Sequence, residues 1–530
     1  MYIKSCDNSE KSIIARIIIS LLLINVAVVT SENVYNSTHG NGIPLKRWNR
    51  EKNRARTIEY THTTSNEEVT HENFPKPNRS LNSDGNELDV IIIGAGWAGI
   101  AAAISLESQG YNCQVLEARD RIGGRSRTVT QRWEGSNIPM DLGSNWVHET
   151  KRNPMFDLVQ QNNIPHSTAE ENQKLYQANN NGAFDDNYIW SKYDQLYDKG
   201  FYPYQKIRQE DTSKDFSLRY AVNGYDTQSN LDAFDESALE MFLRTSIEAD
   251  FAASVENLSL WWWNTGKGYS GRDAFLYQGY TALFEAHAAP VQSKIETQAV
   301  VRKINYKKSK KVKVTYVNAD GAKQIIRAKK VLVTVPLGVL KAKSIKFRPN
   351  LPKKHKNAIR QIGMGTLNKI YMIWKKTDVF WPPNTQWFSE LPKRESNFEF
   401  YNPISFNGGL PFIVGFVAGD EAVYLEEQFG DNQNEYESQM QQRAMLTLRN
   451  MYGNDIPNPE KIMVTKWATD TFSRGSYSYN KVGMSKKARN RLKTPVKSRI
   501  YLAGEATSAY YGTTHGAYLS GKEAANKIMS

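Results

Sequence analysis

The first strongly apolar segment of the chain is Ile17–Val29, which follows three basic residues, Lys4, Lys11 and Arg16. A basic flank, an apolar stretch and small residues after it form the order of a secretory signal peptide. The run is short for a membrane-spanning helix, which needs about 20 apolar residues. The pattern therefore predicts a cleaved signal peptide over residues 1–31 and entry into the secretory pathway, to a secreted or lumenal location. An uncleaved, single-pass membrane anchor is the alternative.

Residues 32–87 show no hydrophobic period and are rich in Asn, Ser, Thr, Glu, Lys and Arg. Such a segment does not carry enough apolar surface to fold by itself, so we predict a disordered basic linker. N-glycosylation sequons stand at Asn36, Asn78 and Asn257. They are compatible with export but also occur at this density by chance.

A continuous run of mostly β-branched residues, Asp89–Ile93, opens the globular part of the chain. Such a run is typical of a strand that is buried on both faces. A helical pattern follows over Ile100–Gln109, ends at Gly110, and leads into a second predicted strand, Tyr111–Glu117. Strand, helix and strand in this order indicate a βαβ unit with parallel strands.

The turn between the first strand and the helix reads Gly94-Ala95-Gly96-Trp97-Ala98-Gly99, a G-x-G-x-x-G pattern. Gly94 permits the tight turn, Gly96 lets the backbone approach a pyrophosphate, and Gly99 allows close packing of helix and strand. Glu117 ends the second strand at the distance expected of the residue that binds ribose hydroxyls. The pattern predicts a dinucleotide site, and a chance match is the alternative.

The rest of the chain alternates between helical and strand patterns and contains no internal repeat. Residues 151–290 predict helices rich in Tyr, Trp and Phe, and residues 293–335 predict strands. Residues 366–465 mix strands with a long helix over Asp431–Met451. The tail adds a strand, Ile500–Ala503, then a Gly-rich turn and a final helix.

Composition and charge restrict the class of protein. A length of 530 residues with 40% hydrophobic residues predicts two to four structural units, and a mean hydropathy of −0.59 excludes a polytopic membrane protein. The net charge of +13 invites nucleic-acid binding, but the basic residues lie in short runs such as 46–56 and 307–313. We interpret these runs as solvated and expect no nucleic acid as a partner. Cys6 and Cys113 are too few for a disulfide framework, and we predict no metal site.

Two further motifs indicate which dinucleotide is bound. The segment Glu117–Arg125 resembles the second FAD signature of the flavin-containing amine oxidases, and Leu502–Thr507 resembles the signature that closes their FAD site. The resemblance covers about residues 88–527. It implies a Rossmann-type FAD-binding domain in which Arg125 lies against the pyrophosphate.

The resemblance also implies further contacts with FAD by Val301, Trp467, Gly504, Glu505 and Thr514. Monoamine oxidases attach their flavin to a cysteine near the second of these motifs. Ala509 and Tyr510 stand there in this chain. We therefore expect FAD to be bound without a covalent link.

Two segments resemble the polyamine oxidases, including the animal spermine-oxidase type. Asp141–His148 resembles their loop beside the isoalloxazine ring, and Gly365–Ile370 resembles the segment that carries their buried lysine. The resemblance implies that Lys369 holds a water against flavin N5 and that His148 contacts the substrate. Because an apolar strand follows Lys369, we expect a desolvated amine with a lowered pKa. An exposed lysine and a structural histidine are the alternatives.

The resemblance places Tyr477 and Thr513 on opposite walls of the substrate slot. Thr513 departs from the aromatic residue of the monoamine oxidases and agrees with the spermine-oxidase type. A polycationic substrate also needs carboxylates along its path, and several acidic residues are candidates. We select Glu248 and Asp250, while the sequence does not exclude Glu149 and Glu170.

These observations predict an α/β fold, with a Rossmann-type FAD-binding domain and an inserted mixed α+β substrate-binding domain. The FAD-binding domain is expected over residues 88–150, 293–365 and 466–530. The substrate-binding domain is expected over residues 151–292 and 366–465.

The expected reaction is oxidation of a C–N bond in spermine, spermidine or an acetylated form, with O2 reduced to H2O2. An L-amino-acid oxidase is the main alternative, but Asn145–His148 supplies no arginine for a substrate carboxylate. A histone demethylase is less favoured because we find no SWIRM-like module or long helical tower. A flavin-loaded binding protein without activity is a remote third interpretation. The sequence leaves open the preferred polyamine, the bond that is cut and the oligomeric state.

Overall fold

The computed structural model describes residues 87–168, 173–177, 183–184, 186–206, 214–307, 311–383, 385–391, 398–403 and 410–530. The predicted signal segment, the predicted linker up to residue 86 and the sequons at Asn36 and Asn78 lie outside the described residues, as does Glu170. Among the residues that are described, no helix is both long and apolar enough to cross a membrane.

Short strands outnumber helices in the described residues. The strands, numbered in chain order, are β1 Leu88–Ile93, β2 Cys113–Leu116, β3 Thr128–Trp133, β4 Ser136–Asp141, β5 Trp146–Val147, β6 His166–Thr168, β7 Gln173–Gln177, β8 Ala183–Phe184, β9 Ala274–Leu276, β10 Ile295–Glu296, β11 Val300–Asn305, β12 Val312–Val317, β13 Lys323–Val333, β14 Lys346–Arg348, β15 Gly363–Gly365, β16 Leu367–Ile373, β17 Trp387–Leu391, β18 Glu399–Tyr401, β19 Phe412–Ala418, β20 Lys461–Val464, β21 Tyr477–Tyr479 and β22 Ile500–Leu502.

The α-helices are α1 Trp97–Glu107, α2 Pro154–Gln161, α3 Asp186–Leu196, α4 Tyr202–Lys206, α5 Leu218–Ser229, α6 Ala233–Phe242, α7 Ala249–Phe251, α8 Tyr280–Ala288, α9 Leu337–Lys341, α10 Lys353–Gln361, α11 Gly419–Phe429, α12 Gln433–Tyr452, α13 Ala488–Leu492 and α14 Thr514–Met529. Two π-helical turns, Tyr197–Phe201 and Leu243–Glu248, adjoin α4 and α7.

The larger sheet has the strand order β10-β2-β1-β13-β12-β11-β14, and β22 also pairs with β13. Strand β1 is parallel to β2 and to β13, and β22 is parallel to β13. Val90 and Ile92 pack with residues of α1 and α14, whereas Ile91 and Ile93 pack on the other face with residues of α10 and α13. Burial on both faces explains why β1 is a continuous apolar run.

The second large sheet has the order β20-β16-β19-β18-β17-β7-β8. Strand β16 lies antiparallel between β19 and β20. Helices α11 and α12 cover one face of this sheet with a core that includes Leu425, Tyr436 and Met440. Strands β7 and β8 come from the first predicted insertion and β16–β20 from the second, so the two insertions share one sheet.

The predicted α/β class is confirmed. Helix α1 begins at Trp97, three residues before the predicted start, because Gly96 in an extended conformation already caps it. The sequence patterns missed strands β6–β9 within residues 151–290, since strands of two to five residues are too short to show a period. The domain boundaries given above remain predictions.

Candidate active site

Close backbone contacts fix the turn between β1 and α1. Gly94 has φ of +107°, and a Cβ there would lie 2.7 Å from Thr334 Oγ1. A Cβ at Gly99 would lie 1.9 Å from the Gly94 carbonyl oxygen, so only glycine lets α1 pack this close. At Gly96, no atom of the described chain lies within 4 Å of an added Cβ. The turn is closed at Gly94 and Gly99 and open at Gly96, as a pyrophosphate-binding turn requires.

Helix α1 offers its N-terminus to this turn. It has neither a side-chain cap nor an acidic residue in its first turn, so its first amides suit an anion. Glu117 is buried beside the turn and accepts hydrogen bonds from the Ala95 amide at 2.7 Å and the Arg119 amide at 2.9 Å. The carboxylate is thus held where the predicted ribose contact needs it. These residues fit the phosphate and ribose groups of FAD.

The two predicted FAD signatures meet at Glu505. Its Oε1 accepts a hydrogen bond from Arg125 Nη1 at 3.1 Å, and its Oε2 accepts from Ser478 Oγ at 2.6 Å and from the Gly512 amide at 2.9 Å. Burial alone would raise the pKa of Glu505, but Arg125 and these hydrogen bonds hold it below its usual value. Residues 380 positions apart therefore form one charged pair, next to Gly504.

Two predicted cofactor residues lie farther along the site. Val301 is buried on β11, two residues after Ala299, whose amide donates to the Glu117 carbonyl at 2.7 Å. Thr514 is the first residue of α14, and its Oγ1 lies 2.7 Å from Tyr280 Oη. Val301 is therefore close to the predicted ribose-binding residue, and both contacts with FAD remain predictions.

Lys369 on β16 is buried and points at residues 141–149, which we call the active-site loop. Its Nζ donates hydrogen bonds to the Asp141 carbonyl at 2.7 Å, the Gly143 carbonyl at 2.7 Å and Asn145 Oδ1 at 2.9 Å. Three acceptors match the three hydrogens of an ammonium group, whereas a neutral amine has two. The amine therefore fastens the loop that the sequence predicts to lie beside the flavin.

Opposing effects act on the charge of Lys369. Burial lowers its pKa, and the nearby Asp141 carboxylate opposes that shift. Burial in turn raises the pKa of Asp141, although Thr128 Oγ1 and the Tyr280 amide donate hydrogen bonds to its Oδ1 at 2.6 and 2.9 Å. Lys369 is thus a desolvated amine, as the sequence predicted.

Two more side chains hold the active-site loop. Trp467 is buried and donates from Nε1 to the Leu142 carbonyl at 3.1 Å. Tyr371, also on β16, donates from Oη to the Asp141 carbonyl at 2.8 Å and lies 3.3 Å from Asn145 Oδ1. Lys369, Trp467 and Tyr371 therefore fix the loop from one side.

His148 near the end of the active-site loop pairs with Asp273. Its Nδ1 lies 2.6 Å from Asp273 Oδ2, and the Glu149 amide donates to Asp273 Oδ1 at 2.8 Å. Burial lowers the pKa of His148, but Asp273 outweighs burial and raises it above its usual value. His148 in turn overcomes the effect of burial on Asp273 and lowers the pKa of that carboxyl to about 2. The pair favours a charged imidazolium and a carboxylate.

One further acid, Asp250, acts on this pair, and a second, Glu399, acts on Asp250. Asp250 on α7 interacts electrostatically with His148 and Asp273, and burial raises its pKa to about 6. Burial raises the pKa of Glu399 on β18 to about 8, and Asp250 adds to that rise. Tyr477 donates from Oη to the carbonyl of Ala249, the neighbour of Asp250, at 2.6 Å. Asp250 and Asp273 make this end of the loop acidic, whereas a pKa of about 8 leaves Glu399 protonated at neutral pH.

Aromatic rings separate the lysine end of the loop from the acidic end. Trp146 lies 5.5 Å from Trp387 and 6.2 Å from Phe416 between ring centroids, and it meets Tyr401 edge-on at 5.0 Å. Lys369 Nζ lies 5.6 Å from the Phe416 ring centroid. Such a wall favours the methylene chain of an amine and excludes water.

The other predicted substrate residues make local contacts. Glu248 accepts a hydrogen bond from the Val255 amide at 2.8 Å, which fastens the chain just after α7. Thr513 caps α14, because its Oγ1 accepts from the Gly516 amide at 2.9 Å. Both bonds stabilise the backbone, and contact of either residue with substrate stays a prediction.

The sequence did not predict Asp273, Glu399 or Trp387 as part of this site. Asp273 precedes β9, which pairs antiparallel with β5 through Trp146 and Phe275 and so brings Asp273 to His148. Glu399 and Trp387 lie on the paired strands β18 and β17. Only the pairing of these strands places the three residues together, and none stands in a motif.

Comparison with known proteins agrees with this geometry. Residues 97–529 match the family model for flavin-containing amine oxidoreductases. Lysine-specific histone demethylase 1 homolog 2 of Arabidopsis thaliana is 32% identical over 464 residues, which is 84% of this chain and 59% of that protein. Polyamine oxidase 2 of the same plant is 29% identical over 452 residues, covering 82% of this chain and 87% of that protein.

Among solved structures, wild-type putrescine oxidase bound to putrescine superimposes with a TM-score of 0.66 at 19% identity and covers 84% of this chain and 99% of that one. This likeness concerns the fold. The chain spans between half and three fifths of the length of two demethylase homologs of Arabidopsis thaliana. The expected fold and cofactor are confirmed: this chain belongs to the family of FAD-containing amine oxidoreductases.

Proposed function

We propose that the chain is a polyamine oxidase. It oxidises the bond between a carbon and an amine nitrogen of spermine, spermidine or an acetylated form to an imine. Water then hydrolyses the imine to an amine and an aldehyde, and O2 is reduced to H2O2. FAD, when bound, supplies hydride acceptance from the substrate carbon and the reduction of O2.

The acidic end of the active-site loop carries this proposal. Asp273 pairs with His148 and Asp250 acts on this pair, while Lys369 holds the other end of the same loop. A substrate with several amines gains from carboxylates beyond the reacting carbon, because they bind its distant ammonium groups. An α-amino acid would need a cation for its carboxylate instead. The loop section Asn145–His148 contains no arginine, and its cation, His148, is paired with Asp273.

The protein's part in the reaction is to hold and deprotonate the amine. The aromatic wall formed by Trp146, Trp387 and Phe416 orients the methylene chain and keeps water away. Lys369, whose pKa burial lowers, lies at the opposite end of the loop from the acids and is the group that takes part in removing the proton of the reacting nitrogen. Asp250 holds a distant ammonium group at neutral pH, where it is ionised.

Mass analysis of products tests the proposed function. Purified protein is incubated with spermine, with N-acetylspermine and with an L-amino acid of similar size, and products and H2O2 are measured. We expect a shortened polyamine, an aldehyde and H2O2 from at least one of the first two substrates. Release of a 2-oxo acid without polyamine turnover would contradict the proposal.

Oxidation of an N-methylated lysine side chain is the second candidate, since the demethylase homologs are 31–33% identical to this chain. Such a reaction would release formaldehyde from a dimethyl-lysine peptide. Formaldehyde at a rate matching or exceeding polyamine turnover would favour this candidate over the first.

Asp250→Asn is expected to raise the KM for spermine by about 10- to 100-fold with little change in kcat, because a hydrogen bond to a charged group contributes about 1.5–3 kcal/mol. Burial raises the pKa of Asp250 to about 6, so its charge is present above that pH and lost as the pH falls through it. The parental KM should therefore rise below pH about 6, and this limb should be absent in the variant. Steady-state kinetics at several pH values measures both effects. Asp320→Asn, at an exposed turn, is the matched control and should behave as the parent.

FAD should be released by acid precipitation. Ala509 and Tyr510 stand where monoamine oxidases carry the linking cysteine, and Cys113, the cysteine within the described residues, is buried in β2. A yellow supernatant over a colourless pellet is the expected result. Flavin that stays with the pellet would show a covalent bond.

We also propose export through the secretory pathway, on the basis of the apolar run Ile17–Val29 behind its basic flank. Protein recovered from the producing cells should begin near Glu32 or carry N-glycans at Asn36 or Asn78. Terminal sequencing and glycosidase treatment measure this. An unglycosylated chain that starts at Met1 and stays in the cytosol would contradict export.

A further inference from the structure

Acidic residues are missing from two long stretches of the chain. Asp and Glu make up 55 of 530 residues, about one in ten, yet none occurs in residues 321–377 or 471–504. The two stretches hold 15 and 9 basic residues, respectively. Their positive charge is therefore not balanced by acids of the same segments.

The fold brings these stretches together. Helix α10 packs against α9 and α13, and His355 Nε2 donates to the Thr494 carbonyl at 2.8 Å. Lys341 at the end of α9 donates from Nζ to the Arg360 carbonyl at 3.3 Å and interacts electrostatically with Lys481. We call the resulting surface the basic face, which consists of the exposed residues Lys343, Lys353, Lys354, Lys356, Arg360, Lys481, Lys486 and Lys487.

Three of these lysines lie at a helix N-terminus, where a positive charge lowers the stability of the helix. Lys353, Lys354 and Lys356 occupy the first turn of α10, which has no acidic residue there and a proline as its N-cap. The N-terminus of a helix carries partial positive charge, so acids stabilise it and lysines destabilise it. At the border of the face, Glu523 of α14 pairs with Lys493. Charge concentrated in this way is suited to binding an anion of extended length.

The chemistry of the face indicates which polyanion fits. Phe347, the aromatic residue within 336–365, is buried, and residues 481–499 contain no aromatic residue. Single-stranded nucleic acids are normally bound by exposed aromatic rings that stack on bases. Lysine predominates over arginine on the face, whereas reading of bases in a duplex relies on the paired donors of arginine. The lysine ammonium groups of the basic face therefore suit a polyanion that has no nucleobases.

We propose that the basic face binds a linear polysaccharide that carries carboxylate or sulfate groups. The export proposed above would expose the enzyme to such polymers at a cell surface. The acids of the active-site loop lie on other segments, so binding at the basic face and amine oxidation involve different residues.

The test compares two sets of charge reversals in the full-length holoenzyme. Each set changes the net charge by the same amount, so only the position of the change differs. The variant of the basic face is Lys353→Glu, Lys354→Glu and Lys356→Glu, and the control is Arg132→Glu, Lys375→Glu and Lys376→Glu, which lie at exposed positions near the end of β3 and after β16.

Fluorescence anisotropy at 0.15 M NaCl measures binding to labelled heparin fragments, to polygalacturonate fragments and to a 20-base-pair DNA duplex. We expect the variant of the basic face to bind one of the polysaccharides about tenfold or more weakly than the parent, because counterion release makes each lost contact costly. The control should bind within about twofold of the parent, since distant exposed charges are screened. Heparin tighter than polygalacturonate would identify sulfate as the preferred group, and the reverse would identify carboxylate.

Thermal unfolding and amine oxidation separate binding from folding. Because glutamates are favoured at a helix N-terminus, the variant of the basic face should unfold at no lower temperature than the parent and keep its activity. Equal weakening in both variants would show that only net charge matters. Equal weakening would overturn the proposal. So would parental binding by the variant of the basic face, no binding by the parent, or tighter binding of the duplex than of either polysaccharide.

Discussion

Lys369→Met is expected to slow flavin reduction by polyamine, or flavin reoxidation by O2, by about 10- to 1000-fold, the range for losing a positioned proton-transfer group. Lys369 is the buried amine that binds the active-site loop through three oxygens. Burial lowers its pKa, so it exchanges a proton more readily than an exposed lysine. Methionine keeps an unbranched side chain of similar volume but removes the charge and the donors.

The same substitution has a limited cost for folding. In the variant, Tyr371 Oη remains as a hydrogen-bond donor 2.8 Å from the Asp141 carbonyl oxygen and 3.3 Å from Asn145 Oδ1. The Gly143 carbonyl loses the Lys369 donor, and an unsatisfied buried acceptor costs about 1–3 kcal/mol. We therefore expect Lys369→Met to purify as a folded, yellow protein with moderately reduced stability.

Stopped-flow absorbance at the flavin band separates the two half-reactions. Tyr371→Phe is the matched control, because it removes a donor to the same loop oxygens and leaves the amine in place. If the amine itself takes part, Lys369→Met should be slowed far more than Tyr371→Phe. Similar slowing in both variants would show that Lys369 acts by holding the loop. Parental rates in both half-reactions would make Lys369 a purely structural residue.

The part of the site that could be predicted from the sequence is local in the chain. The turn from Gly94 to Gly99 contains only six consecutive residues, and its backbone contacts follow from glycine at fixed offsets. Strand β1 could be predicted because burial on both faces leaves a continuous apolar run. Lys369 was found through a motif, and its burial was expected from the apolar residues that follow it in the sequence.

The acidic end of the active-site loop depends on long-range pairing instead. Asp273 reaches His148 because β5 and β9 pair in one register, and no local pattern specifies that register. Glu399 stands on a three-residue strand after residues outside the described chain. Glu248 and Asp250 were predicted together because both stand in the helical pattern before Phe251. Glu248 accepts a hydrogen bond from the Val255 amide, and its contact with substrate stays a prediction.

Gly96→Ala should weaken FAD binding by about 10- to 100-fold while leaving the stability of the FAD-free protein unchanged. Gly96 has φ of −92° and ψ of −173°, a conformation that alanine adopts without strain. A methyl group there meets no protein atom within 4 Å in the described chain, so the empty turn accepts it. The pyrophosphate would approach this position, and losing one hydrogen bond to a charged group costs about 1.5–3 kcal/mol.

Gly99→Ala is the contrasting change, because its added methyl group would clash with the protein itself and not with a ligand. The added methyl would lie 1.9 Å from the Gly94 carbonyl oxygen, which belongs to the backbone and has no rotamer to change. We expect a loss of about 1–3 kcal/mol or more in the free energy of unfolding, the usual cost of overpacking, with or without FAD.

Thermal scans of the FAD-free proteins and flavin titrations followed by fluorescence distinguish the two glycines. Without FAD, Gly96→Ala should unfold at the same temperature as the parent. With FAD added, it should unfold at a lower temperature than the parent, since weaker binding stabilises the fold less. Gly99→Ala should melt early in both conditions. A parental FAD affinity in Gly96→Ala would mean that the pyrophosphate does not pass over Gly96. The room for a side chain at Gly96 would then not be explained by cofactor binding.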